Sequence, residues 1–248
     1  MTVRRPLVLA AAGAAVVALA VALWARGDAP ETPDVAAATD ALTAAPGAAD
    51  APGSSPAPAD DPLADGPDGT WVVSVDAVAS DPTAGRGAFV GFRIDEELST
   101  LGAITAVGRT PEVAGELTVA DGALVDGTFR APLAGLATDD SRRDGAVRRL
   151  LGELEATFVV DGPVDLPEPP APGRDVALRV PGTLTVGGAS VAVVADLRVA
   201  VEGATLVVVG TVPTRLSDLG IEAPRAPIVL SVADEVLVEV QLYLVRRA

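Results

Sequence analysis

The chain of 248 residues contains no cysteine and no histidine, and all eighteen of its basic residues are arginine. A Ser-His-Asp triad, a Cys-His dyad and a Ser-Lys dyad are therefore all excluded. Zinc and copper lose their usual imidazole and thiolate ligands, and no Asp-x-Asp-x-Asp-Gly loop offers a calcium site. No metal and no cofactor are expected. Disulfides and a lipid-modified cysteine are excluded as well. Positive charge is scarce too. A formal net charge of −16 argues against a nucleic-acid partner, because nothing would meet the phosphate backbone. Paired carboxylates remain the one available catalytic chemistry. Most Asp and Glu fall in turns or on the polar parity of strands, where a solvated surface is the expected reading. The chain is read as a non-enzyme.

What is present begins with an apolar run. Leu7 to Trp24 is eighteen residues without a charge, preceded by Arg4 and Arg5. As helix it would be about 27 Å long, close to the roughly 30 Å hydrocarbon thickness of a bilayer. The basic pair before it and the acidic residues after it place the N-terminus in the cytoplasm and the remainder outside. Residues 1–26 thus read as a single-pass signal anchor in the cell membrane, with an extracytoplasmic C-terminal domain. The rival reading is a cleaved signal peptide, with Ala18-Leu19-Ala20 as the cleavage site.

Residues 27–69 shift to Ala, Pro, Asp, Gly, Ser and Thr, with Asp28, Glu31, Asp34, Asp40 and Asp50 among the acids. Apolar bulk is nearly absent, so the expectation is a disordered linker. As a flexible chain of about 40 residues it would span roughly 35 Å, a tether on which the domain swings.

Residues 70–248 carry the fold. From Asp175 to Arg215 the pattern is strictly period two. Val176, Leu178, Val180, Leu184 and Val186 share one parity, and Gly187-Gly188 makes a turn. Val191, Val193, Leu197, Val199 and Val201 follow, then Gly203, then a strand from Leu206. Such alternation marks antiparallel strands with one face buried. Further strands are expected at Trp71–Asp76, Arg86–Leu98, Glu116–Ala120, Leu124–Leu136, Ala156–Val160 and Val236–Val245, with Ile228–Ser231 a short edge strand. Gly102–Ala114 reads as irregular. One short helix is expected around Ser141–Leu151, its start marked by Ser141 and Asp144 in a capping-box spacing. Eight to ten antiparallel strands avoid exposed edges by closing, so the fold class is all-β, a barrel of about eight strands with an aliphatic interior.

Several stretches, in order, resemble the YceI-like family of polyisoprenoid-binding, lipocalin-like domains. Trp71 with Val73, Val75 and Asp76 is similar to the opening strand. Ser141-Arg142-Arg143-Asp144 looks like the Arg-Asp element, and Ala156-Thr157-Phe158 like the Phe strand. Gly182 to Gly188 is similar to the Gly-x-Leu-Thr-x-His-Gly hairpin, with Gly187 where the family has His. Ser217 to Ile221 looks like the Asp-Phe-Gly bend, and Asp234 to Val240 like the terminal strand. The segment before Ala156 lacks the family's usual Phe-Asp and Pro residues. The resemblance implies a long isoprenoid lipid, a polyprenol or quinone-type tail, in an apolar pore.

On that basis Phe92, Phe129, Leu133, Phe158, Leu178, Leu184, Val186, Val191, Val199, Leu206, Val240 and Leu242 are the candidate pore lining. Arg142, Arg143 and Asp144 are candidates for the pore mouth or a lipid headgroup, with a helix N-terminus and local ion pairs as the plainer alternative. Val207, Val209, Leu237 and Tyr243 lie on the outer parity, where they would permit a homodimer. Two other functions stay open: a surface interaction domain with a filled core, and a carboxylate hydrolase. The second needs two inward acids, which the inner parities lack.

Overall fold

The computed structural model describes residues 29–44, 66–99, 102–138, 141–171, 173–223 and 229–247. Among these no helix is long and apolar enough to cross a membrane, and the run from Leu7 to Trp24 lies outside them.

Twelve strands are described: β1 (Gly69–Val73), β2 (Phe89–Leu98), β3 (Gly102–Thr110), β4 (Ala114–Ala120), β5 (Ala123–Pro132), β6 (Ala137–Thr138), β7 (Glu155–Val160), β8 (Val164–Asp165), β9 (Val176–Val186), β10 (Ala189–Glu202), β11 (Thr205–Arg215) and β12 (Val229–Arg246). Eight of them form a closed antiparallel barrel in the order β1-β4-β5-β7-β9-β10-β11-β12, with β12 returning to β1. The eighteen-residue β12 closes it in two ways. Its last turn-side residues pair with β1, Leu244 opposite Val73 and Arg246 opposite Trp71. Its first two thirds pair with β2, Val236 opposite Ile94 and Val240 opposite Val90. Strands β3 and β6 extend that flap.

The meander of β9, β10 and β11 follows the expected parity. Along β9 every second residue from Val176 to Val186 is buried, and its intervening neighbours are half-buried or exposed. A one-residue slip would turn this whole set to water, so the register is firmly held. Two expectations change. Gly102–Thr110, read as irregular, is a full strand paired with β2 from end to end. Its small residues gave little alternation to read. The expected edge strand at Ile228–Ser231 is, from Val229, the start of β12, separated from the rest by a register shift between Val232 and Val236.

Two helices are described. The helix α2 (Ser141–Leu151) lies where expected, and Val147 packs it over one end of the barrel with Leu133, Leu136, Leu184 and Leu219. The second corrects the linker. Within the stretch read as disordered, α1 (Val35–Thr43) is capped by Asp34, whose carboxylate accepts from the Ala37 amide at 3.0 Å. Val35, Ala38 and Leu42 recur at i, i+3 and i+7, a stripe narrow enough to escape notice among alanines and prolines. A nine-residue helix is marginal alone. This one is docked: Ala38 is 2% exposed in one cluster with Val207, Val209 and Tyr243. The outer residues read as a dimer face are therefore covered by the chain itself, except Leu237, which stays 37% exposed.

Candidate functional site: an aliphatic barrel interior

Inward parity and aliphatic composition together leave the barrel with two voids. The first, about 150 Å³, lies under α2 and the bend at Leu216–Ile221. The second, about 120 Å³, lies deeper, between β4, β5, β7, β9 and β12. Val90, Ala156, Leu184 and Val238 line both, so the two share a wall four side chains wide. No carboxylate lines either one, and the polar side chains at their edges are Thr110, Thr157 and Arg130. Apolar voids of this size stay dry and accept apolar guests. At about 24 cal/mol per Å³ they cost about 3 to 4 kcal/mol each when empty.

Four expected lining residues surround the first void: Phe92, Leu133, Leu184 and Val186. Leu184 is shared with the second void, which also takes Phe129, Phe158, Val240 and Leu242. Phe129, Phe158, Leu184 and Val191 form one cross-strand row, but only the first three reach a void. Val191, Leu178, Val199 and Leu206 border neither void. Leu178 is buried and lies opposite Leu197, which borders the second void. Val199 and Leu206 lie in rows whose other members, Val208, Leu242 and Leu244, border the second void, and beyond them the far end is closed. There Trp71 is 1% exposed, with the Arg246 guanidinium 5.1 Å from its ring. Parity identifies the inward face but not which side chains of a row border a void.

Close backbone approach shapes the second void. A Cβ on Gly182 would collide with Cζ and Cε2 of the Phe158 ring, which lies across that glycine. This packing requires glycine there. Gly187, where the family hairpin has His, takes φ 57°, and Leu154 already occupies the space beside it, 3.0 Å from where a Cβ would be.

At the mouth, Asp144 is a fastener. Its carboxylate accepts from the Thr138 amide and hydroxyl, both at 2.7 Å, reaching past Ser141 to tie α2 to β6. Both bonds use one carboxylate oxygen, Oδ1. Arg142 and Arg143 lie in the same first turn of α2; the Arg142 side chain is outside the described residues. On the opposite rim Asp234 accepts from the Ser217 amide at 2.9 Å and hydroxyl at 2.7 Å. Those bonds hold the Asp234 carboxyl below its usual value of 3.8.

Outside the barrel a group missed by sequence reasoning is buried. Glu239 is 0% and Arg109 1% exposed. Arg109 donates through Nε to Glu239 Oε2 at 2.9 Å, and Arg93 through Nε to Oε1 at 2.8 Å. Glu239, Gly91 and Arg109 form one cross-strand row. A Cβ at Gly91 would lie 2.7 Å from Arg109 Cγ, so the absence of a side chain lets the guanidinium cross to Glu239. The remaining donors meet backbone: Arg109 reaches the carbonyls of Glu31 at 2.6 Å and Pro82 at 3.2 Å, and Arg93 that of Pro30. The Arg109 head also lies over Phe89, 4.6 Å from the ring centre. Glu239 on the outer parity had read as solvated surface; a partner 130 residues away and a covering segment reverse that.

Several solved structures are similar to this chain, the first of them in its fold. A polyisoprenoid binding domain from Saccharophagus degradans matches 71% of this chain and 98% of its own, at TM-score 0.52 and 18% identity. BcnA of Burkholderia cenocepacia matches 64% and 96%, at TM-score 0.46 and 19% identity. A mutant CJ YCEI protein matches 57% and 85%, at TM-score 0.44 and 14% identity. Comparison with curated proteins finds no match. A family model for the YceI-like domain matches residues 81–244, two thirds of the chain and nearly all of its barrel. With the barrel and its aliphatic interior, that match makes this chain a member of the YceI-like domain family.

Proposed function

We propose that the chain is an extracytoplasmic, membrane-tethered binding protein for a long-chain isoprenoid lipid, a polyprenol or quinone-type tail held in the barrel. The observation that carries this reading is the pair of dry voids sharing Val90, Ala156, Leu184 and Val238. Together they line β12 from Val232 to Leu244, about 30 Å along the axis for strands tilted as in small barrels. A slender apolar chain suits that path, and a bulky or polar ligand does not. Burial of each CH₂ contributes about 0.8 kcal/mol, so a long tail needs no polar contact to bind firmly. Filling the voids also offsets their cost in the empty barrel.

The tether rests on the charge-free run from Leu7 to Trp24 and the arginines before it, which together favour a single span with the barrel outside. No carboxylate lines either void, so the hydrolase reading finds no support in the site. A core filled for purely structural purposes is disfavoured by the same voids. The test is an organic extract of the full chain purified from a host that makes polyprenols, read by mass spectrometry. The expected result is a long isoprenoid in near-stoichiometric amount. An extract free of apolar lipid would refute the proposal.

A further inference from the structure

We infer that residues 29–44 are a strap that holds the α2 end of the barrel against the bilayer, so that the first void opens at the lipid surface. This rests on the anchored reading above. The strap is fastened along its length. Pro30 and Glu31 accept hydrogen bonds from Arg93 and Arg109, and the Tyr243 hydroxyl donates to the Ala38 carbonyl at 3.1 Å.

These fastenings fix a direction. Arg93 lies opposite Leu237 of β12, and Arg109 shares the row of Glu239. Tyr243 lies four residues further along the same strand. The strap thus runs from the level of Leu237 to that of Tyr243, away from the end where Val232 and Val236 line the first void. Ala29, which precedes Pro30, is on the α2 side.

Reach then becomes decisive. Five Cα steps separate Trp24 from Ala29, and fully extended they cover at most about 18 Å. A free linker over residues 27–69 would have allowed roughly 35 Å. Docking of α1 removes most of that freedom.

At that end α2 forms a basic stretch, with Glu153, Asp218, Glu222 and Asp234 exposed around it. Helix α2 carries Arg142, Arg143, Arg148 and Arg149, four of the eighteen arginines in a chain of net charge −16. Leu150 is 39% exposed and also lines the first void, and Leu230 at the start of β12 is 63% exposed. Basic residues beside exposed leucines are the composition that settles at a lipid interface.

The absence of cysteine makes the test direct, since an introduced thiol is the only one. The full chain, as Leu150→Cys or Ala204→Cys, is labelled with a fluorophore and placed in phosphatidylcholine–phosphatidylglycerol vesicles containing a nitroxide lipid. Ala204, in the β10–β11 turn, is exposed at the far end. Quenching is expected to be several-fold stronger at position 150 than at 204. Equal quenching in protein that floats with the vesicles overturns the strap while leaving the anchor intact. Protein that does not float overturns the anchor and the strap together. Ala38→Asp, which puts a charge beneath α1, is expected to equalise the two sites. So is a long Gly-Ser insertion after Arg26, which leaves every described residue untouched. Asymmetry that survives the insertion refutes the strap as its cause.

Discussion

The two faces of the wall formed by β11 and β12 are built from the same aliphatic residues and end in opposite states. On the inner face Val208, Val212, Val238, Val240 and Leu242 border the second void. On the outer face Val207, Val209 and Tyr243 are sealed to 2% exposure or less beneath α1, and Glu239 is buried between two arginines. The chain recruits a segment from about 200 positions away to fill the outside, with Ala38 against Tyr243, and leaves the inside unfilled. Packing capacity is therefore not what limits the interior. Voids that each cost about 3 to 4 kcal/mol persist where a few larger side chains would have removed them. Function explains that difference better than stability does.

The largest blow to the outer face is Glu239→Ala. It leaves Arg109 buried and Arg93 half-buried without their carboxylate, and loss of about 3–5 kcal/mol is expected from denaturant unfolding. The lipid content of the molecules that still fold should be unchanged, since Glu239 does not touch either void.

Ala156→Leu attacks the inner face at the shared wall. Its added carbons enter existing space, so stability should shift by less than about 1.5 kcal/mol. Lipid loading should fall about tenfold, or 1.4 kcal/mol. If loading is unaffected, the shared wall is not part of the lipid path.

Tyr243→Phe sharpens the comparison from the outside, removing a bond worth about 1 kcal/mol. Burial pushes the Tyr243 phenol up to about 12. A raised value means the contribution is whole below pH 10 and lost as pH rises through about 12. It is the only tyrosine, so phenolate absorbance follows this group alone.

The smallest effect is at the rim. Asp234 is held below 3.8, so its contribution is present above that value and fades as pH falls through the lowered one. Faster lipid release is expected only below about pH 4, and Asp234→Asn should abolish that acid dependence.

Much of the inner face was legible because it obeys a local rule. Period-two alternation named the inward side of β9, β10 and β12, and eight of the twelve proposed lining residues border a void. Val199 and Leu206 border neither void although their row partners Val208 and Leu244 do, a distinction that parity does not carry. The outer face was hardly legible. Arg109, Gly91 and Glu239 meet through register alone, and the two charged residues lie 130 positions apart. Helix α1 was hidden by its composition, since Ala38 packs well only because Val207 and Tyr243 offer a flat apolar surface. One clue was available: outward apolar residues on β11 and β12 require a cover, and a second copy of the chain is not the sole candidate when a helix-forming stretch precedes the barrel.

The inner and outer faces are separated most directly by a photoreactive analogue of an isoprenoid-tailed lipid, irradiated with the full chain and mapped by mass spectrometry. Adducts on Phe92, Phe158, Val238 and Val240 are the predicted result. Adducts confined to α1, Leu230 or the outer residues of β11 and β12 would contradict a lipid held inside the barrel.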